Sequence, residues 1–228
     1  MIEVLERLVR IDIDFSIVEF MPATEEGFSF EIKENHTEEE KILLAEALAH
    51  QIIEYARDDI AKNDKELNPD LDFARQIGFR KFLNFPKKKG RFEGSFGLGN
   101  GLTNVFNISF INVNGAADKH FDFIWYEKVL KCVIDYFDPD YSSLIFGNMK
   151  YYEMKEEVGM PVLAGWITYF KDGAEILVPD NMEGATVEQY KNGKLVVLSR
   201  DEADYYNLTA EQKRDVVLKI MKQLKQKE

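Results

Sequence analysis

The stretch ATVEQYKNGKLVVLS, residues 185–199, contains the pattern that decides the fold class. Two short runs that favour strands flank Lys191-Asn192-Gly193, and an Asn-Gly pair between such runs is a strong hairpin sequence. A short hairpin joins antiparallel strands. The stretch therefore predicts an antiparallel pair of strands in the C-terminal part of the chain.

Alternation of apolar and polar residues predicts further strands on both sides of this hairpin. The alternation is regular in RIDIDFSIVEF, where Ile11, Ile13 and Phe15 are expected on one face, and in NVFNISFINV. Glu25-Glu26-Gly27 is predicted to be a turn. The predicted strands cover, in chain order, residues 10–20, 28–33, 104–113, 143–146, 162–170 and 174–178.

Apolar residues at helical spacing predict three main helices. Thr37 with Glu40 and Thr209 with Gln212 form capping boxes that begin the first and the third. The helices are expected over residues 38–62, 119–137 and 210–225. The first has an apolar stripe that we expect to be buried: Ile42, Ala45, Leu48, Ala49, Ile52, Ala56 and Ile60. The second has a broader apolar face: Ile124, Trp125, Val129, Leu130, Val133, Ile134 and Phe137.

These elements predict an α+β fold, with a mixed, mainly antiparallel sheet and three main helices in a single domain over residues 1–228. The structure of residues 63–102 is not determined by the sequence pattern. The run RKFLNFPKKKGR, residues 80–91, has six basic residues, and we expect it to form a loop or arm. The glycine-rich GSFGLGNG that follows at residues 94–101 matches no phosphate-binding template, so a flexible loop is expected there as well.

Acidic residues outnumber basic ones, 41 to 29, which gives a formal net charge of -12. Such a chain is repelled by nucleic acid and by anionic membrane surfaces, so neither is expected as a direct partner. Residues 34–72 contain twelve acids and four bases. This concentration of charge on and beside the first helix indicates a basic protein partner.

No arrangement of residues predicts catalysis, so we expect no enzyme activity, no cofactor and no metal. The three histidines have no second His or Cys at helical ligand spacing, and the single Cys132 is expected in the core. Carboxylates are numerous enough to leave a carboxylate-based, metal-dependent hydrolase open as an alternative. A general protein-interaction domain is the other alternative.

Neither a secretory signal nor an apolar run long enough to span a membrane is visible in the sequence. We therefore expect a cytoplasmic protein.

Exposed acids on the two longer helices are the candidate contact residues for a basic partner. The first group lies on the polar face of the first helix: Glu46, Glu54 and Asp58. The second group lies at the end of the second helix: Asp135, Asp138 and Asp140.

Three segments in the second half of the chain resemble the immunity protein 52 family of bacterial polymorphic toxin systems. They are DYFDPDYSSLIF, GMPVLAGWITYFKDGAEILVPDN and NGKLVVLSRDEADYYNLTAEQ, and the resemblance covers residues 100–225. The residues that match the family pattern are Phe137, Pro139, Asp140, Gly165, Trp166, Tyr169, Gly193, Leu198, Ser199 and Asp204. The family pattern has Asn-Pro where this chain has Asn207-Leu208, and an early tryptophan that this chain lacks.

The resemblance implies a protein that binds and silences a cognate toxin, commonly a nuclease, without catalysis. It implies structural roles for Pro139, Gly165, Trp166, Tyr169 and Gly193. Trp166 and Tyr169 lie in a predicted central strand, so we expect them in the core rather than in a contact surface.

Overall fold

The computed structural model describes residues 2–20, 28–33, 35–63, 79–85, 90–96, 105–110, 123–145, 154, 157–160 and 164–227. The backbone alone is described at residues 20, 28, 51–63, 79–85, 90–96, 105–110 and 202. The chain divides into two compact units, Met1–Asp118 and Lys119–Glu228. Helices and antiparallel sheets occur in both, which confirms the predicted α+β class. The assignment of the whole chain to one domain stays a prediction.

The N-terminal unit contains two α-helices and a five-stranded sheet in its described part. Its elements are α1 (Ile2–Ile11), a 3-10 helix (Ile13–Ser16), β1 (Ile17–Phe20), β2 (Phe28–Glu31), α2 (Glu38–Asn63), β3 (Phe79–Phe85), β4 (Gly90–Phe96) and β5 (Val105–Phe110). The strand order is β2-β1-β3-β4-β5, and every neighbouring pair is antiparallel.

The prediction of a strand over residues 10–20 is wrong for its first seven residues. Helix α1 continues to Ile11, and Asp12 then caps the 3-10 helix by accepting a hydrogen bond from the backbone N–H of Asp14 at 3.0 Å. This local bond competes with extended backbone, as short polar side chains often do. Ile13 is consequently 65% exposed while Phe15 is buried, so the two do not share a face.

Strands β3 and β4 pair with each other, whereas a loop or arm is expected from the sequence at residues 80–91 and a glycine-rich loop from residue 94. The β3–β4 register runs from Phe79 opposite Phe96 to Phe85 opposite Gly90. In GRFEGSF, residues 90–96, apolar and polar residues alternate as in a strand. The two glycines lower the strand propensity, so the sequence pattern did not predict this strand. The predicted turn at Glu25-Glu26-Gly27 and the lysines at 87–89 lie outside the described residues.

Helix α2 begins as predicted, but its apolar stripe is not buried as predicted. In the capping box, the Thr37 N–H donates to Glu40 Oε2 at 2.7 Å and the Glu40 N–H donates to Thr37 Oγ1 at 3.2 Å. Leu48 is 3% exposed, whereas Ile42 is 56% exposed. Ala45 and Ala49 are exposed as well. The side chains of the predicted stripe beyond Ala49 lie outside the described set.

In its described part, the C-terminal unit has two antiparallel sheets and several α-helices. Its elements are α3 (Phe123–Phe137), β6 (Tyr141–Leu144), β7 (Ile167–Lys171), β8 (Ile176–Leu177), β9 (Thr186–Tyr190), β10 (Gly193–Val197), α4 (Glu202–Tyr206), α5 (Ala210–Met221) and β11 (Lys225–Gln226). One sheet has the order β6-β7-β10-β9, and β8 pairs with β11 in the other.

These elements confirm the hairpin, the second helix and the start of the third helix. Helix α3 ends at Phe137, immediately before Asp138-Pro139, and α5 begins at the predicted Thr209 cap. Helix α5 ends at Met221 rather than near 225, because the chain turns there and returns as β11. On α3, Ile124 and Phe137 are exposed rather than buried, and Glu127 is buried in their place.

Two glycines of the family-like pattern are explained by close packing against neighbouring backbone. A Cβ on Gly165 would clash with the carbonyl oxygen of Leu144, and one on Gly193 would clash with that of Phe170. Gly193 is the first residue of β10 and pairs with Tyr190, so the turn between β9 and β10 consists of Lys191 and Asn192. The positive φ at the turn falls on Lys191, with a value of 50°.

Trp166 and Tyr169 lie in the core of the C-terminal unit, Trp166 just before β7 and Tyr169 within it. The Trp166 side chain is 2% exposed, donates its indole N–H to the Ser199 carbonyl at 3.1 Å, and packs against Phe123 and Tyr205. Tyr169 donates its hydroxyl to Asn192 Oδ1 at 2.9 Å. Among the described residues, no helix has both the length and the apolar character needed to cross a bilayer.

Candidate functional site

The exposed side of α2 carries two large apolar side chains beside an acid. Ile42 and Leu43 are 56% and 64% exposed, and Glu46, one turn further along, is exposed as well. We call these three residues the α2 surface. The two apolar side chains are neighbours on a regular helix, so with Glu46 they form a small patch that is partly apolar and partly acidic.

The other two acids predicted for this surface, Glu54 and Asp58, lie on the same helix. They follow Glu46 by eight and twelve residues, about 12 and 18 Å along the helix axis. The backbone of α2 includes both positions, while their side chains are outside the described set.

The first turn of α2 is acidic, and several of its charges serve the helix itself. Glu40 completes the capping box, and the hydrogen bonds from Thr37 hold the pKa of its carboxyl below its usual value. Glu38 forms an ion pair with Lys41 at 2.9 Å. Within the described part of the chain, no ion pair involves Glu46. The residue itself is exposed to solvent.

The second predicted group of acids, at the end of α3, is engaged by neighbouring lysines. Asp138 pairs with Lys171 at 2.6 Å, and this contact lowers the pKa of its carboxyl. Asp135 pairs with Lys191 at 2.8 Å and accepts a hydrogen bond from the Tyr190 hydroxyl at 2.8 Å. These contacts join α3 to β7 and to the β9–β10 turn, so the acids help to fix the fold.

The remaining acid of the predicted group, Asp140, is exposed. Pro139, which belongs to the family-like pattern, is half-buried. Asp138 has a positive φ of 46°, which Asp tolerates better than most residues because its side chain can form local hydrogen bonds. Asp135 and Asp138 are therefore paired with lysines, while Asp138, like Asp140, lies on the surface, with its side chain 59% exposed.

A second charged network, which the sequence analysis did not predict, centres on Arg200. Its guanidinium donates to Glu127 on α3 at 2.6 and 3.1 Å and to Glu188 on β9 at 2.8 Å twice. Lys131 adds an ion pair to Glu127 at 2.7 Å. The hydrogen bonds from Arg200 lower the pKa of both carboxyls despite their burial. The signal in the sequence is Glu127 itself, an acid on the apolar face of α3.

The Arg200 network brings together the carboxylates of Glu127 on α3 and Glu188 on β9. Two neighbouring carboxylates are also what a site for acid–base catalysis requires. Both carboxylates face the same guanidinium in paired hydrogen bonds, the strongest geometry for an arginine–carboxylate contact. Across the described residues, no group of three His, Cys, Asp or Glu side chains could hold a metal ion. Cys132 is buried on α3.

Comparisons with protein-family models, with curated proteins and with solved structures find no match to this chain. The resemblance to the immunity protein 52 family therefore stays a prediction, which rests on the residues quoted from the second half of the sequence. The α2 surface lies in the other half. Family and contact surface are thus argued from separate parts of the molecule.

Proposed function

We propose that this protein is an immunity protein that binds a cognate toxin through the α2 surface and neutralises it by occlusion. The observation that carries the proposal is the exposure of Ile42 and Leu43 beside Glu46, on the helix with the most acidic residues in the described part of the chain. Stable protein interfaces combine a desolvated apolar centre with a polar rim, and this surface offers both.

The apolar pair supplies affinity. Burial of an Ile or Leu side chain is worth about 1.5–3 kcal/mol. Both residues retain more than half of their surface in water, so much of that free energy remains to be gained on association. The area of two side chains alone is far from a full interface, which buries about 800 Å² per partner, so the contact extends along the helix. The positions of Glu54 and Asp58 on α2 lie in that direction.

The negative charge of the protein raises the rate at which it associates with a basic partner and the selectivity for such a partner. A net charge of -12, with twelve acids between residues 34 and 72, attracts a basic protein over a distance of about a Debye length and repels an acidic one. A nuclease is the toxin class that fits best, because it presents cations to hold phosphate. An acidic surface placed over that groove imitates the field of the substrate.

The proposed mechanism requires no bond making or breaking and no cofactor. The protein occupies the toxin's substrate groove in a 1:1 complex, and the toxin is inactive for as long as the complex lasts. The protein acts in the cytoplasm of the producing cell, where a nuclease toxin would meet nucleic acid. It contacts neither nucleic acid nor membrane directly.

Expression of the neighbouring gene tests the proposal. We expect the product of the gene immediately upstream to be toxic alone and harmless when this protein is co-expressed. The purified pair should form a 1:1 complex whose association rate falls as salt is added, because added ions screen the attraction. A toxic upstream product that stays toxic on co-expression would contradict the proposal.

Two variants locate the contact. Ile42→Asp places a charge in the apolar centre and should weaken the complex about 100-fold or more. Glu46→Lys reverses a charge at the rim and should slow association. Glu175→Lys, an exposed acid in the C-terminal unit, has the same net charge as Glu46→Lys and is the matched control. Equal slowing by the two charge reversals would show that only the total charge matters.

A further inference from the structure

The turn between β9 and β10 contains a chemically reactive pair, Asn192-Gly193. In such a pair the backbone nitrogen of the glycine, once it has lost its proton, attacks Cγ of the asparagine side chain. The Cγ–Nδ2 bond breaks, ammonia leaves, and a cyclic imide forms. Water then opens the imide at either carbonyl, which gives aspartate or its isomer isoaspartate. Glycine permits the attack because it has no side chain to obstruct it.

The amide group of Asn192 is held on both sides, although the residue is exposed to water. The hydroxyl of Tyr169 donates to Asn192 Oδ1 at 2.9 Å. Asn192 Nδ2 donates to Asp138 Oδ1 at 3.4 Å, and Lys171 pairs with the same carboxylate at 2.6 Å. Closure of the imide brings Cγ onto the Gly193 nitrogen and expels Nδ2. Both hydrogen bonds must therefore be strained or broken before the reaction can proceed.

The backbone on either side of the reactive bond is fixed by the sheet. Gly193 begins β10, which pairs with both β7 and β9, and it lies opposite Lys171 and Tyr190 in the two registers. The Asn192 carbonyl accepts a hydrogen bond from the Asp172 N–H at 2.7 Å. Attack requires the nitrogen and the carbon to meet in a specific geometry. A nitrogen held between two strands has little freedom to move, so the side chain has to approach it.

We propose that Asn192 is a site of spontaneous deamidation that the folded C-terminal unit keeps blocked, with Tyr169 and Asp138 as the residues that hold its amide. The unfolded chain contains the same reactive pair without these contacts. The rate of the reaction therefore reports whether the turn is formed. The inference is independent of the proposed function, because it involves the C-terminal unit alone and no partner.

Deamidation would damage the turn that these contacts preserve. A carboxylate in place of the amide loses the Nδ2 donor and faces the Asp138 carboxylate, and like charges at this distance repel. Isoaspartate also adds a methylene group to the main chain before Gly193, where even a Cβ would clash with the Phe170 carbonyl. The deamidated form, separated by ion exchange, should unfold at a lower urea concentration than the intact form. An equal or higher concentration would contradict this consequence.

Peptide mapping by mass spectrometry measures the reaction at Asn192 directly. The comparison is between the folded protein and the chain unfolded in guanidinium chloride, at the same pH and temperature. The unfolded chain should deamidate at Asn192 about tenfold faster or more, because both hydrogen bonds and the strand pairing are lost. Equal rates in the two states, or no deamidation in either, would overturn the proposal.

Two further Asn-Gly pairs provide a reference for the unfolded chain. Asn100-Gly101 and Asn114-Gly115 have the same local sequence and lie outside the described residues. Their peptides are therefore quantified separately. In guanidinium chloride all three pairs should react at similar rates. A much slower reaction of Asn192 under these conditions would mean that its neighbours in the sequence, and not the fold, block it, which would contradict the proposal.

Three variants identify what holds the amide in the folded protein. Tyr169→Phe removes the donor to Oδ1 and should speed deamidation about three- to tenfold, the equivalent of one hydrogen bond. Tyr190→Phe removes the neighbouring hydroxyl, which donates to Asp135, and should change the rate by less than about twofold. Arg200→Met is expected to weaken the same unit away from the turn and should also leave the rate unchanged.

The pattern among these variants decides whether the contact itself protects Asn192. Acceleration confined to Tyr169→Phe supports the proposal. Equal acceleration in Tyr190→Phe or Arg200→Met would show that the rate follows the stability of the unit as a whole, and would contradict it. A slower reaction in Tyr169→Phe would show that the hydroxyl polarises the amide carbonyl and promotes the attack, which would overturn the role assigned to Tyr169.

Discussion

The acids at the end of α3 and the acid of the α2 surface look alike in the sequence and differ in the structure. Asp135 and Asp138 face Lys191 and Lys171 at 2.8 and 2.6 Å, and they connect α3 to the neighbouring sheet. Glu46 is exposed beside two exposed apolar side chains. Charge that is matched internally contributes to the fold, whereas charge left in solvent beside apolar surface remains available to a partner.

The same contrast extends to the apolar residues of the two units. Trp166 is enclosed by Phe123 and Tyr205 and satisfied by a hydrogen bond, whereas Ile42 faces solvent on a regular helix. The C-terminal core stabilises its own unit, whereas exposed residues of α2 are expected to add little to stability. Substitutions that affect stability should therefore separate from those that affect binding.

Removal of a large apolar side chain is the strongest test of this contrast. Trp166→Ala should lower the free energy of unfolding by about 3–5 kcal/mol, because it leaves a cavity in the core and removes the bond to Ser199. Ile42→Ala should change it by no more than about 0.5 kcal/mol. Urea denaturation followed by circular dichroism measures both. A loss of about 2 kcal/mol or more in Ile42→Ala would mean that this face of α2 is covered in the free protein.

Substitution of Arg200 should have the next largest effect. Arg200→Met leaves Glu127 buried and without its main partner, and should cost about 2 kcal/mol of unfolding free energy. Arg200→Lys keeps the charge but loses the paired donors, so it should cost less than Arg200→Met. The same denaturation experiment compares them. A neutral effect of Arg200→Met would show that the network adds nothing to stability.

The contribution of Arg200 should also depend on pH. The pKa values of Glu127 and Glu188 are lowered in the folded protein from a usual value of 4.5. A carboxyl with a lowered pKa stabilises the fold fully above its unfolded pKa and loses that contribution as the pH falls through its folded pKa. The stability difference between the unchanged protein and Arg200→Met should therefore shrink below about pH 4.5. A difference that stays constant or grows on acidification would contradict this.

Substitution of Lys213 should have a smaller effect than substitution of Arg200, and in the opposite direction. It is a buried lysine on α5, with Nζ 3.7 Å from the centre of the Tyr205 ring, and burial lowers its pKa from the usual 10.5. Lys213→Met should raise the free energy of unfolding by up to about 1 kcal/mol, since the cation–π contact offsets part of the desolvation cost.

The pH dependence provides a check on the effect of Lys213. Below its folded pKa the lysine is charged in both states and the cost of burial is complete. As the pH rises towards 10.5 the folded state releases its proton first and the cost declines. The gain from Lys213→Met should therefore be largest near neutral pH and decrease in alkaline solution. A loss of stability at neutral pH would show that the cation–π contact outweighs the desolvation.

Local chemistry made part of this fold predictable from the sequence. The capping boxes at Thr37 and Thr209 and the Asp138-Pro139 stop of α3 depend on neighbouring residues alone, and the structure confirms all three. The alternation of apolar and polar residues predicts Ile13 on the buried face of a strand. In the structure Asp12 caps a 3-10 helix at this position instead. The exposure of Ile42 was missed because helical spacing shows that residues share a face and does not show what covers it.

The paired networks depended on contacts between distant residues. Arg200 lies 73 positions from Glu127, and no sequence pattern joins the two. For the same reason the sequence does not show that Asp135 and Asp138 pair with lysines of the β9–β10 turn and of β7. The acids that serve the fold and those free to bind were thus separated by the structure.

The association rate of two charge-reversed variants with the upstream toxin tests the central claim most directly. Glu46→Lys and Asp140→Lys have the same net charge, and both acids are exposed, one on α2 and the other after α3. At low salt, Glu46→Lys should slow association about tenfold and Asp140→Lys less than about twofold, because a rim charge acts mainly on the association rate of its own interface. Stopped-flow mixing of the purified proteins gives both rates. A larger effect of Asp140→Lys would place the contact at the end of α3 and contradict the assignment to the α2 surface.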